Sequence, residues 1–304
     1  MRSPRDLDAV LYGMPTTFFG GSTLNCSHCR GIVPYNTSNC PVCRRFAGWP
    51  NVRRAEEMRD ALTAHAKKAR QEATRRNLTH KVERLYEILN ASVATINVSI
   101  LVLLRMTTSD KYRSIYRAIE RGDREASAVK YEAHRKAVDA KLHTGYEIDI
   151  VCAALSPDGR GLANYGDVIL QIDGAAVSER ASVLPENAFA FYERFKLGKR
   201  NAMEEPGWRA VWVDRAALGI AHLGQDVTAN DDEDALVRRI LFSGASRDDD
   251  RFMEVNIYDG IAIEAVGRVT LASVPRDGDD QDRWRCAAAW LRRNGIDVIA
   301  LAMP

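Results

Sequence analysis

The stretch Arg251-Phe-Met-Glu-Val-Asn-Ile-Tyr258 decides how the second half of this chain is read. It alternates in the manner of a strand, which puts Phe252, Glu254, Asn256 and Tyr258 on one face. A carboxylate that shares its face with aromatics and an amide is odd for a core strand and natural for the wall of a pocket. The competing reading leaves Glu254 on the solvent side of an edge strand.

Working outward, strand-like runs with β-branched residues recur at Tyr146–Leu155, Asp167–Ile172, Arg209–Val213 and Arg268–Val274. Ser156-Pro-Asp-Gly159 is a turn signal between the first two. Asp234–Phe242 and Trp284–Asn294 read as helices. Gly295 then serves as a C′ residue, and Ile296–Ala302 as a buried strand. Cys152 and Cys286 stand alone and read as buried hydrophobes.

The front half has another texture. Residues 52–89 contain neither Gly nor Pro and are rich in Ala, Arg, Glu and Leu, which predicts one long helix or two in line. Ala91–Met106 suits either helix or buried strand. Two more helices are expected at about 109–121 and 123–143, with Gly122 between them and Asp123 as an N-cap. Before all of these, Cys26-Ser-His-Cys29 and Cys40-Pro-Val-Cys43 form two Cys-x-x-Cys knuckles. Each knuckle turns two sulfurs toward one point, and the loop between them brings the pairs together. Four thiolates leave no open coordination position, so Cys26, Cys29, Cys40 and Cys43 predict a structural zinc site rather than a catalytic one.

Composition sets the bounds. The 304 residues are 46% hydrophobic and 28% charged, which excludes wholesale disorder and fibrous classes. The longest apolar run, Ile96–Met106, falls short of a membrane span. Met1–Leu11 has mixed charge and no apolar core, so no secretory signal is expected. Clustered cysteines suit a reducing compartment, and the reading is cytoplasmic, with no membrane partner. The net charge of +2 hides an asymmetry. Residues 1–145 hold 25 Lys and Arg against 14 Asp and Glu, and residues 146–304 hold 18 against 27. Residues 44–81 alone carry eleven basic and four acidic residues. That face can attract RNA or DNA phosphates, dock an acidic surface, or simply be solvated. Aromatics beside it are sparse, so sequence-specific recognition is not expected.

Familiar catalytic signatures are absent from the back half. Gly198-Lys199 lacks the rest of a phosphate loop, and Gly159-Arg-Gly161 leads into a strand rather than a helix. Three segments taken in order do carry a resemblance: Leu142-His143-Thr144-Gly145; Leu162-Ala-Asn-Tyr165-Gly166 with Arg180-Ala-Ser182 to Asn187; and Phe252-Met-Glu254-Val-Asn256. Residues of about 140–274 resemble ADP-ribosyltransferase-like folds, including bacterial toxin and defence families.

The resemblance implies an α+β chain in three parts. Residues 1–50 would be a four-cysteine, zinc-ribbon-like module, 51–142 a helical region, and 143–304 a domain built on a split pair of antiparallel sheets that clasp NAD. It also implies roles. His143 would be the first-strand residue, Tyr165 the central aromatic and Glu254 the catalytic acid. Thr144, Gly145, Arg180, Ser182 and Asn187 would line the cofactor pocket. Many members carry a second glutamate two residues from the first, and here Asn256 stands in that neighbourhood. The function implied is mono-ADP-ribosylation of nucleic acid or protein, with an antitoxin or regulatory protein as restraining partner. The alternative is a non-enzymatic zinc protein that binds nucleic acid through its basic segment.

Overall fold

The computed structural model describes residues 24–108, 111–125, 130–275 and 277–300. Eight of its strands form one sheet: β1 (Val93–Val98), β2 (Ile150–Ser156), β3 (Val168–Ile172), β4 (Ala181–Leu184), β5 (Ala210–Val211), β6 (Glu254–Tyr258), β7 (Val266–Leu271) and β8 (Asp297–Ala300). The order across the sheet is β8-β7-β3-β1-β2-β6-β4-β5. All neighbours are antiparallel except β7 and β8.

The helices are α1 (Pro50–Glu57), α2 (Arg59–Arg75), α3 (Thr79–Ala91), α4 (Ile100–Thr108), α5 (Ile115–Glu120), α6 (Lys130–Leu142), α7 (Gly174–Val177), α8 (Ala188–Arg194), α9 (Arg215–Leu223), α10 (Glu233–Ile240) and α11 (Gly278–Arg293). Among the described residues, no helix is long and apolar enough to cross a membrane.

The α+β class is present, and among the described residues the main sheet is one continuous layer rather than the expected split pair. The reason lies in β1, inside the segment read as helical. It pairs with β2 on one side and β3 on the other, and so joins two groups of strands that would otherwise be separate. Ala91–Met106 therefore supplies both a strand and a helix. The Ser92 hydroxyl donates to the Ile88 carbonyl at 2.8 Å as α3 ends. The Ser99 hydroxyl then accepts from the Val102 N–H as α4 begins. Gly166 is required where β3 approaches β1, since a Cβ there would lie 2.4 Å from the Val98 carbonyl carbon.

Two further expectations change. Ile296–Ala302 reads as a buried strand, yet β8 is an edge strand whose residues are exposed or half-buried, and positions 301–302 lie outside the described residues. The run 251–258 breaks at Met253. Arg251–Phe252 pairs with Leu241–Phe242 in a separate two-stranded ribbon, and only Glu254–Tyr258 joins the sheet. Met253 is fully buried at the crossing, its N–H donating to the Ile240 carbonyl.

The two sheet faces differ in chemistry. One carries Val151, Ala153, Leu155, Val255, Ile257 and Val183 into the main core. There Leu62 of α2, Leu85 and Leu89 of α3, Leu103 of α4, Ile220 of α9 and Leu291 of α11 cover it. The apolar spacing of three and four residues in α3 (Val82, Leu85, Leu89) aims that helix at the sheet. The opposite face carries Cys152, Ser182, Glu254 and Asn256 in adjoining register.

Part of this polar face is sealed by charge. Arg54 of α1 and Arg209 flank Glu204, with N–O separations of 2.7 Å and 3.2 Å. Arg54 also donates to the Leu142 carbonyl at 2.8 Å, satisfying the C-terminal end of α6. Burial alone pushes the Glu204 carboxyl up, but Arg209 and Arg54 outweigh it and hold the group below its ordinary value. Replacing Glu204 by Gln strands two guanidinium groups in the interior. Urea denaturation should show a loss of about 3–5 kcal/mol, the range for breaking a buried pair from one side.

Candidate functional site

A cavity of about 770 Å³ opens on the polar face of the sheet. Its lining includes Cys152 and Ala154 of β2, Glu254 of β6, Thr95 and Asn97 of β1, Arg135 and Asp139 of α6, Phe189 of α8 and Asn187 just before it. Tyr165 and Phe252 close one side. This volume lies within the range of small-molecule and cofactor sites.

Glu254 is held in place. Only 3% of it is exposed. The Ala188 N–H at the start of α8 donates to one carboxylate oxygen at 3.0 Å, and the Asn256 amide donates to the other at 2.7 Å. Asn187 caps that helix, its side-chain oxygen accepting from the Ala190 N–H, so one short segment fixes both the helix start and the carboxylate. Burial raises the Glu254 carboxyl above its ordinary value. Arg135 and the Ala188 N–H pull it back, and Asp139 pushes in the same direction as burial.

Arg135 links the group. Its guanidinium donates to the Cys152 sulfur at 2.9 Å and to Asp139 at 3.2 Å, and the Tyr116 hydroxyl donates to the same Asp139 oxygen at 2.8 Å. Burial, and then the Glu254 charge, push the Cys152 thiol well above its ordinary value. A thiol kept protonated is a poor nucleophile, so the arrangement favours carboxylate chemistry over cysteine chemistry. At the rim the Arg247 guanidinium lies 4.6 Å from the centre of the Tyr165 ring.

Of the residues singled out from sequence, Glu254, Tyr165 and Asn187 meet at this cavity. The others do not line it. His143 is fully buried behind it, with neither ring nitrogen hydrogen-bonded. Burial, then Arg209 and Arg54, hold its pKa well below the usual imidazole value, so it is a neutral packing group. Thr144 bonds back to the Ala140 carbonyl at the end of α6. Gly145, at φ +81°, packs against Asn36 of the cysteine module, where a Cβ would meet the Asn36 amide at 2.6 Å. The Arg180 guanidinium is taken up by the Tyr258, Gly260 and Ala176 carbonyls. Ser182 is fully buried beside Asn256.

Sequence reading missed Arg135, Asp139, Tyr116 and Cys152. Arg135 and Asp139 stand four apart on α6, so they share a face. Cys152 alternates against Val151 and Ala153 on β2, which puts it on the face opposite the apolar core.

The cysteine module is a second site. All four sulfurs lie within 4.8 Å of one another. Cys26–Cys43 and Cys29–Cys40 are 3.6 Å and 3.5 Å apart, close to the ~3.8 Å edge of a tetrahedron with ~2.3 Å metal–sulfur bonds. The backbone N–H groups of Cys29 and His28 draw the Cys26 thiol down to about 6. That of Cys43 lowers Cys40. The four residues can hold one metal ion. Residues 1–23 of the predicted module lie outside the described residues.

The basic segment is largely used internally. The Arg53 guanidinium donates to the Pro34, Tyr35, Thr37 and Ala47 carbonyls. Arg76 bonds the Gln225 and Val227 carbonyls, and Lys81 that of Asp231. Arg44, Lys67 and Lys68 are exposed. Compared with models of known protein families the chain matches none, and compared with curated proteins it matches none.

The Glu254 carboxyl couples folding to pH. Its folded pKa is raised, so the native state is favoured below the unfolded value of 4.5 and loses that advantage as pH rises through the folded value. Melting curves should therefore show the Tm of Glu254→Gln improving relative to the parent as pH rises from acid to neutral. A difference that does not change with pH would contradict a raised carboxyl at this position.

Proposed function

We propose that the cavity over Glu254 is the active site of an NAD-consuming mono-ADP-ribosyltransferase. The observation that carries this reading is a buried carboxylate, gripped by two N–H donors, on the floor of a cavity of about 770 Å³. Cleavage breaks the bond between ribose C1′ and the nicotinamide nitrogen. The electron pair leaves with the ring, which becomes neutral nicotinamide. An acceptor atom then bonds to C1′ and gives up its proton. Positive charge develops on the ribose, as in glycoside cleavage. An ionised Glu254 opposes that charge and needs no reorganisation, because Ala188 and Asn256 already fix it. Arg135 opposes the burial that raises its pKa. Tyr165 and Phe189 supply ring faces on the cavity wall.

Zinc in the four-cysteine module is the structural part of the proposal, and it takes no part in the reaction. We place the protein in the cytoplasm and give it a protein partner that restrains its activity. The non-enzymatic alternative draws on exposed Arg44, Lys67 and Lys68, which are available to phosphates.

Nicotinamide release from NAD tests the enzyme. Glu254→Gln should lose about 10²–10³-fold in rate, the scale for removing a group that stabilises transition-state charge. Arg135→Met should shift the acid limb of the rate profile to higher pH, because Arg135 lowers the Glu254 pKa. No NAD turnover above buffer in the parent protein, with oligonucleotide binding retained, would favour the alternative.

Metal analysis tests the module. Protein purified under reducing conditions should hold about one zinc per chain. Cys40→Ser should abolish stoichiometric binding and lower the Tm.

A further inference from the structure

The ribbon that breaks the 251–258 run has two faces with different chemistry. Its register pairs Phe252 with Leu241, and Arg251 with Phe242. Leu241 and Phe252 pack with Leu162, Tyr165 and Ala154 on the side of the Glu254 cavity. Successive residues of a strand point opposite ways, so Arg251 and Phe242 emerge on the other side. There they line a second cleft of about 440 Å³, together with Arg238 and Arg239 from the last turn of α10. Asp226 is the carboxylate on its wall.

The charges in this cleft are not equivalent. Arg239 is committed to Asp231, with two guanidinium nitrogens 2.7 Å from one oxygen. Arg238 and Arg251 are exposed, and neither guanidinium makes a hydrogen bond or ion pair among the described residues. Phe242 is 40% exposed, although it sits directly across the ribbon from Arg251. Direct cross-strand partners have Cβ atoms ~5 Å apart, so an aromatic face and a guanidinium stand side by side. Two uncommitted guanidinium groups around an exposed ring suit a phosphate and the base attached to it. The sequence makes the patch conspicuous, since it is a cationic cleft within a half that is net acidic. An acidic surface around it would repel a nucleic-acid strand elsewhere on this half and leave the cleft as its foothold.

We propose that Arg238, Arg251 and Phe242 form a binding site for single-stranded nucleic acid, the acceptor of the transferase reaction. The acceptor role rests on the reading of the Glu254 cavity given above. A strand seated here lies one thin ribbon away from that cavity. The phosphate is held by Arg238 and Arg251, one base stacks on Phe242, and a neighbouring nucleotide reaches past the ribbon toward the carboxylate.

Fluorescence anisotropy with a short labelled single-stranded oligonucleotide, without NAD, tests the site independently of turnover. Phe242→Ala should weaken binding about tenfold. Arg238→Ala and Arg251→Ala should each lower the slope of log affinity against log salt by about one. All three positions are exposed, so circular dichroism and Tm should match the parent. Glu254→Gln should bind like the parent, which separates this site from the catalytic reading. If NAD turnover fails and these variants still lose affinity, the site stands and only its acceptor role falls. Unchanged binding in the Arg238→Ala/Arg251→Ala double variant overturns the proposal. So does equal competition by inorganic phosphate, by a mononucleotide or by an acidic peptide, which would show a site for an isolated anion or a protein rather than a strand.

Discussion

A sheet face that carries Cys152, Ser182, Glu254 and Asn256 cannot be closed by apolar packing alone, so the cover that Val138, Leu142 and Phe191 give Leu184 on that side is joined by polar partners. Burying a polar group without a partner costs several kcal/mol on hydrocarbon transfer scales, and burying a charge costs far more. Two solutions appear side by side. Toward β4 and β5 the face is covered, and there the Glu204 carboxylate is buried between the guanidinium groups of Arg54 and Arg209. Toward β1 and β2 the face is left open, and the cavity forms there. Glu254 sits between the two regimes. It is buried enough for its pKa to rise, yet it borders a space large enough to admit a ligand. The apolar face, packed by helices, supplies the stability that this polar face lacks.

Period-two alternation makes β2, β3 and β6 legible, and it also reveals that Glu254 leaves the apolar side. The cysteine spacing exposes the knuckles as clearly. Local pattern does not show that β1 inserts between β2 and β3, because strand pairing across more than fifty residues leaves no local trace. Nor does it show the break at Met253, where the chain leaves one partner strand for another without a Gly or Pro to mark the change. Charged residues are the least legible. Arg53, Arg54, Arg76 and Lys81 look like a solvated or phosphate-binding face, yet each directs its donors to carbonyls of distant segments. His143 fails for a related reason. A helix C-terminus favours a charged imidazole, but full burial and the guanidinium groups of Arg209, Arg54 and Arg135 reverse that preference.

The cysteine module bears on the site through α1. Arg53 ties four carbonyls of the module's loop to the first turn of that helix. One turn carries two further anchors. Asn51 donates to the Asn256 and Arg180 carbonyls at 2.9 Å and 3.0 Å, and Arg54 enters the ion cluster. Trp49, which precedes the helix, lies between Phe46 of the module, which it meets edge to face, and Tyr258 at the end of β6, with ring centres 4.7 Å and 5.0 Å away. Asn256 in turn holds the Glu254 carboxylate. A continuous set of contacts thus runs from the four sulfurs to the cavity floor. A metal in the module would fix the loop that Arg53 grips, and the loop would fix the height of α1 above β6. The module therefore belongs to the scaffold that positions the carboxylate. An ion bound there would steady the cavity floor without touching it.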